Sequence, residues 1–250
     1  MSGHIYQSSG LTMEAMDGKK GKRNKKGKTL ALFVLFAFFA IACFLHYETT
    51  STAQTKTAQA RTVKDQVLVS TEMPAVRLKF DNAFKYVGAQ DFILYEVARA
   101  EQHFFVDTDK EGRIKRMYWV QFEGYLPANT HSYNYRSNQK VNLGGLEFIA
   151  DAYARKVQAG GRPDSDGARA QAFLTGKGYR MASDEALMQR LVHLVDEAKR
   201  NELMVIYMED LGPMKLTAAD LAKDGKAAAQ WDEIAKGLLE RASKGMAVMR

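Results

Sequence analysis

Cysteine is almost absent. The 250 residues contain one, Cys43, and it falls inside a long apolar run. The rest of the chain therefore has no partner for a disulfide, and its stability must come from a packed core. No Asn-x-Ser/Thr sequon, no Gly-x-Ser-x-Gly and no His-Glu-x-x-His occurs. The first absence, with the missing disulfides, fits a bacterial envelope protein better than a eukaryotic secretory one. The other two remove the short signatures of serine hydrolases and zinc peptidases. No internal repeat is present and no cofactor is expected.

A basic surface suited to nucleic acid is also lacking. The chain carries Lys+Arg 36 against Asp+Glu 29, a net charge of +7. Seven of the bases lie in residues 1–28 against Glu14 and Asp17, so the tail holds +5 and the remainder only +2. Charge outside the folded region argues against a nucleic-acid partner.

The largest single feature is residues 29–47, TLALFVLFAFFAIACFLHY, without a charge, proline or glycine. At ~1.5 Å per residue a helix of this length just crosses a hydrocarbon core of roughly 30 Å. Seven Lys/Arg precede it, and Lys56, Arg61 and Lys64 follow. The positive-inside rule then puts residues 1–28 in the cytoplasm and the C-terminal domain in the periplasm or outside the cell. Membrane lipid is thus an expected partner through 29–47. Cleavage near Ala53 and lipidation at Cys43 are the alternatives to a retained anchor.

Residues 48–66 are rich in Thr, Ala and Gln and read as a polar stalk reaching roughly 25 Å if flexible. Residues 67–250 are long enough for one domain with a core. Its expected fold is α+β: an antiparallel sheet mostly from the first half, packed against helices mostly from the second. Period-two alternation predicts a strand over 76–80, and 92–97 is a second β-rich run. Turn residues 107–112 between 103–106 and 113–122 predict a hairpin. Residues 125–142 read as a loop and 144–157 as a helix. Ser183 reads as the N-cap of a helix over 184–200, on whose polar face His193 would lie. An apolar run, 203–208, predicts a buried strand. Thr217-x-x-Asp220 resembles a capping box, and a last helix spans about 226–243.

Three sets of side chains could carry function. Asp107-x-Asp109-x-Glu111-Gly112 matches the front of a calcium loop, but Tyr118 stands where the bidentate Glu should be. A solvated turn explains the same residues. His103 and His131, with Glu101 and Glu123 nearby, could act as acid–base pairs in a hydrolase-like enzyme, although nothing supplies a nucleophile. Glu209-Asp210 ends the 203–208 strand, where turn chemistry accounts for both.

The aromatic series Tyr118, Trp119, Phe122, Tyr125, Tyr133 and Tyr135 is the most distinctive feature; core packing accounts for part of it, and Trp119, Tyr125, Tyr133 and Tyr135 are the binding candidates. Tyrosines in a polar loop are hard to bury and suit stacking on a ligand or partner. The expectation is a membrane-anchored, non-catalytic module that binds a small apolar or aromatic ligand, or an envelope protein, through them. A structural subunit of a membrane complex is the third reading.

Overall fold

The computed structural model describes residues 60–157 and 162–249. The basic tail, the apolar segment 29–47 and most of the expected stalk lie outside these residues. Among the described residues no helix is long and apolar enough to cross a membrane.

Two antiparallel sheets dominate. The smaller has the order β1-β2-β3-β11, from β1 (Arg61–Lys64), β2 (Val67–Ser70), β3 (Val76–Phe80) and β11 (Met246–Met249). The larger uses β4 (Lys85–Leu94), β5 (Ala98–Thr108), β6 (Ile114–Tyr125), β7 (Lys140–Leu143), β8 (Leu146–Lys156), β9 (Glu185–Leu194) and β10 (Asn201–Asp210). Its order is β4-β5-β6-β10-β9-β8-β7. Among the described residues the α-helices are α1 (Asp166–Gly176), α2 (Ala218–Leu221) and α3 (Trp231–Lys244).

Each face of the larger sheet has its own cover. Phe105, Tyr118, Val120, Leu191 and Val205 pack with Leu78 and Phe80 of the small sheet and Leu238 and Ala242 of α3. Phe80 and Phe105 bring their ring centroids within 3.9 Å. The Tyr118 hydroxyl donates to the Ala242 carbonyl at 2.7 Å, tying α3 to the central strand. Phe104, Trp119, Met188, Met204 and Ile206 form the second core, closed by Ala170 and Leu174 of α1. Central strands buried on both sides lose their period-two signature.

That loss explains the main correction. The expected α+β division, with a sheet from the first half and helices from the second, is replaced by a mostly antiparallel β fold running through both halves. Residues 144–157 form β8 and its turn, not a helix. Leu146, Phe148 and Ala150 are buried on one face and Tyr153 on the other, so apolar residues of two faces mimic helical spacing. The same confusion makes a helix of 184–200, where Ala186 to Gln189 are buried on alternating sides of β9. Ser183 caps no helix; its hydroxyl donates to the Glu185 carbonyl and pairs with Asp210. His193 sits on β9, its Nδ1 2.9 Å from the Glu147 carbonyl. The expected stalk 48–66 also runs too far, since β1 begins at Arg61.

Gly144 and Gly145 form the two-residue turn between β7 and β8, with φ of 57° and 82°. Positive φ at both central positions is the type I′ requirement that glycine meets without strain. A Cβ on Gly144 would stand 2.0 Å from the Val248 carbonyl oxygen, so the β11 backbone also approaches there.

Candidate functional site

Glu101, His103, Glu123 and the tyrosines Tyr125, Tyr133 and Tyr135 converge at one end of β5, β6 and β10, and the two strand glutamates divide between the two faces of the sheet. Alternation puts Glu101 and His103 on the face covered by the small sheet, and Gln121 and Glu123 on the other.

On the first face the charges are paired. His103 is 1% exposed. Its Nε2 lies 2.8 Å from Glu101 Oε1, and its Nδ1 3.2 Å from the Tyr86 hydroxyl. A carboxylate only accepts, so Nε2 carries the proton, and in the neutral ring Nδ1 accepts from Tyr86. The second Glu101 oxygen accepts from Arg61 Nη1 at 2.8 Å. Arg61 Nη2 donates to the Glu72 carbonyl at 3.1 Å, and the guanidinium lies 3.9 Å over the Phe122 ring. Burial works to raise the Glu101 carboxyl, but the His103 hydrogen bond and the Arg61 charge outweigh it and hold it below its usual range. Burial, helped by the Glu101 charge, pushes the Tyr86 hydroxyl up to about 12.

On the second face like charges lie together. Glu123 of β6 and Glu202 of β10 are directly opposite in the strand register. Both are buried, as is Asp166 at the start of α1. Glu123 accepts from the Tyr133 hydroxyl at 2.8 Å and from Gln121 Nε2 at 2.5 Å. Gln121 in turn accepts from Gln102, and Gln102 from Gln90, both at 2.7 Å. Glu202 Oε2 accepts from the Tyr135 hydroxyl at 2.5 Å, while Oε1 has no hydrogen-bond partner among the described residues. The nearest cation, Arg190, is held by Asp151 at 2.7 and 2.9 Å and lies over the Tyr135 ring. Burial, then the Asp166 charge, pushes the Glu123 carboxyl up to about 7. Burial and the Glu123 charge raise Glu202 well above its ordinary value. The arrangement can hold protons at neutral pH, which two solvated glutamates cannot do.

Trp119, Tyr125 and Tyr133 are buried rather than displayed, and Tyr135 is half-buried. Trp119 packs in the core under α1. Tyr125 and Tyr133 stack with centroids 4.6 Å apart. Tyr133 and Tyr135 fasten the irregular segment 126–139 to the sheet through Glu123 and Glu202. A polar loop can bury tyrosines when carboxylates below accept their hydroxyl protons, a pairing that sequence spacing does not reveal. Among the histidine, glutamate and aromatic candidates at this end, His131 is exposed, with its ring 6.1 Å from Tyr125.

The acidic turn stands apart from this end. Asp109 accepts from the backbone and side chain of Arg113, and Asp107 from Arg116 at 2.8 Å, with Lys115 at 3.2 Å. Glu111 pairs with Arg113 at 3.1 Å. These carboxylates are already matched by cations. Among the described residues no group of three or more His, Cys, Asp or Glu is placed to hold a metal ion.

Two open clefts mark the surface. The larger, about 360 Å³, lies between α3 and β8 and includes Trp231 and Lys236, but none of the candidate residues. The smaller, about 280 Å³, lies over the sheet end and is lined in part by Arg61, Arg99, Glu101, Phe122, Tyr125 and Pro127. Both polar networks end beside the smaller cleft, through Glu101 and Glu123. Its floor is Gly124, which lies opposite Arg99 on one side and Asn201 on the other. A Cβ there would meet Asn201 Oδ1 at 2.4 Å and Met73 Cε at 3.2 Å, so the two side chains close in over a residue that has none. Sequence reasoning missed Arg61, Arg99 and Glu202, which only long-range pairing brings to this end.

Comparison with protein-family models, curated proteins and solved structures found no match.

Proposed function

We propose that the chain is a membrane-anchored, extracytoplasmic, non-catalytic module that binds the apolar or aromatic part of a small ligand at the cleft over Gly124. The observation that carries this is how the candidate acid–base groups are used. Both ring nitrogens of His103 are engaged and its ring is enclosed; both Glu123 oxygens are engaged. A general base must offer a free lone pair to the substrate's proton; Glu123 lines the cleft with both oxygens taken, and the His103 ring is enclosed. What remains open is a cleft edged by Phe122, Tyr125, Leu126 and Pro127. At about 280 Å³ it is close to the lower end of ordinary ligand sites, which start at roughly 300 Å³, and suits one ring rather than a large molecule. The anchor and outward orientation in this reading rest on residues 29–47 and the basic tail.

The test is a thermal-shift and mass-spectrometric screen of the full chain in zwitterionic nanodiscs against single-ring compounds. Binding compounds should raise Tm, slow amide exchange around Tyr125, and be recovered unchanged. Recovery of a converted compound would contradict the reading in favour of an enzyme. Absence of any shift across the panel would contradict it outright.

A further inference from the structure

We propose that the ligand of this cleft carries an oxyanion: a small aryl or alkyl carboxylate whose head is met by Arg61 and Arg99 and whose body lies against Phe122 and Tyr125. This rests on the binding reading above and adds the ligand's charge.

The argument is an imbalance of donors and acceptors. Arg61 is 8% exposed, yet its Nε–H has no acceptor among the described residues. An enclosed guanidinium donor without an acceptor is costly, and a ligand oxygen would relieve it. Arg99, on the same face, is exposed, and no ion pair to it is found among the described residues. Against these two cations stands Glu101, whose oxygens are already engaged by Arg61 and His103. Glu123 also lines the cleft, but its two oxygens are taken by Gln121 and Tyr133 and its carboxyl is pushed up to about 7 by burial and the Asp166 charge. A planar guanidinium fork suits carboxylate geometry better than an ammonium would.

One wall of the cleft can give way. Met73 is 44% exposed, and its Cε lies 3.2 Å from the place a Gly124 Cβ would occupy. It is an unbranched thioether that can change rotamer to admit a ring. Asn201 on the other side is fixed, since its Nδ2 donates to Asp196 at 2.9 Å. The cleft therefore has one rigid wall, one adaptable wall and a cationic end.

The test uses the full chain in zwitterionic nanodiscs and calorimetric titration with 3-phenylpropionate, 3-phenylpropan-1-ol and 3-phenylpropylamine. The carboxylate should bind saturably, and the alcohol and amine at least about tenfold more weakly, an increment of about 1.4 kcal/mol. Arg99→Glu should reduce carboxylate affinity by about tenfold or more with an unchanged unfolding midpoint. Arg61→Lys, which keeps the charge but not the Nε–H, should weaken it several-fold. Equal binding of carboxylate and alcohol would overturn the oxyanion and leave the binding module standing. Carboxylate binding that survives Arg99→Glu would overturn the site, and failure of every probe to bind would overturn both.

Discussion

The two faces of one sheet end solve the burial of charge in opposite ways. Above β5, Glu101 lies between His103 and Arg61, so its carboxylate is stabilised by a cation and two hydrogen bonds. Below, Glu123 and Glu202 face each other beside Asp166, with tyrosine and glutamine donors but no free cation among the described residues. The first arrangement favours the ionised form and the second the protonated one. The lesson is that glutamates one register step apart on neighbouring strands can have contrary pH responses, decided by the face they point to.

The largest expected effect comes from making the first face resemble the second. Arg61→Ala strips the cation from Glu101 and the stack from Phe122, and should cost about 4 kcal/mol in urea unfolding, as for a broken buried pair. A loss under about 1 kcal/mol would show that His103 alone compensates Glu101. A smaller change of opposite sign comes from relieving the second face. Glu202→Gln removes one of two facing acids and should stabilise the chain by about 2 kcal/mol at pH 8, with little change at pH 5. Destabilisation at pH 8 would mean the pair is not repulsive. The smallest is Tyr135→Phe, which deletes one hydroxyl donor to Glu202. It should cost about 1 kcal/mol and speed amide exchange over residues 126–139, and unchanged exchange there would show that the segment is held otherwise.

How much of this was legible follows from range. The hairpin of β5 and β6 was readable from its turn and flanking β-rich runs, and Val76–Phe80 from clean alternation. The central strand β10 showed as an apolar run, and α3 as a helical stripe through Ile234, Leu238 and Ala242. The Thr217–Asp220 capping box formed as its spacing implied. β9 was misread because both its faces are buried, and β8 because its buried residues pass from Leu146, Phe148 and Ala150 on one face to Tyr153 on the other. At the site, Glu101 and His103 could be paired from the sequence because they are two residues apart on a strand. Glu202 could not be assigned to Glu123, because the pairing exists only once β10 lies against β6. Arg61 and Arg99 were illegible for the same reason.

The most direct test of the contrast is the pH dependence of urea unfolding of the full chain in a mild non-ionic detergent, followed by Trp119 and Trp231 fluorescence. The Glu123 carboxyl rises from its ordinary 4.5 to about 7 in the folded chain. Its contribution is fully present below the unfolded value and is lost as pH rises through the folded one. Glu101, held low, has the opposite sign: its contribution is lost only as pH falls through its depressed value, below this window. Between pH 5.5 and 8.5 the native chain should therefore lose about 2 kcal/mol, and Glu123→Gln/Glu202→Gln, which keeps Arg61, Glu101 and His103, should be nearly flat. A native chain whose stability is flat or rises over that range, or a double variant that falls just as steeply, would contradict the account.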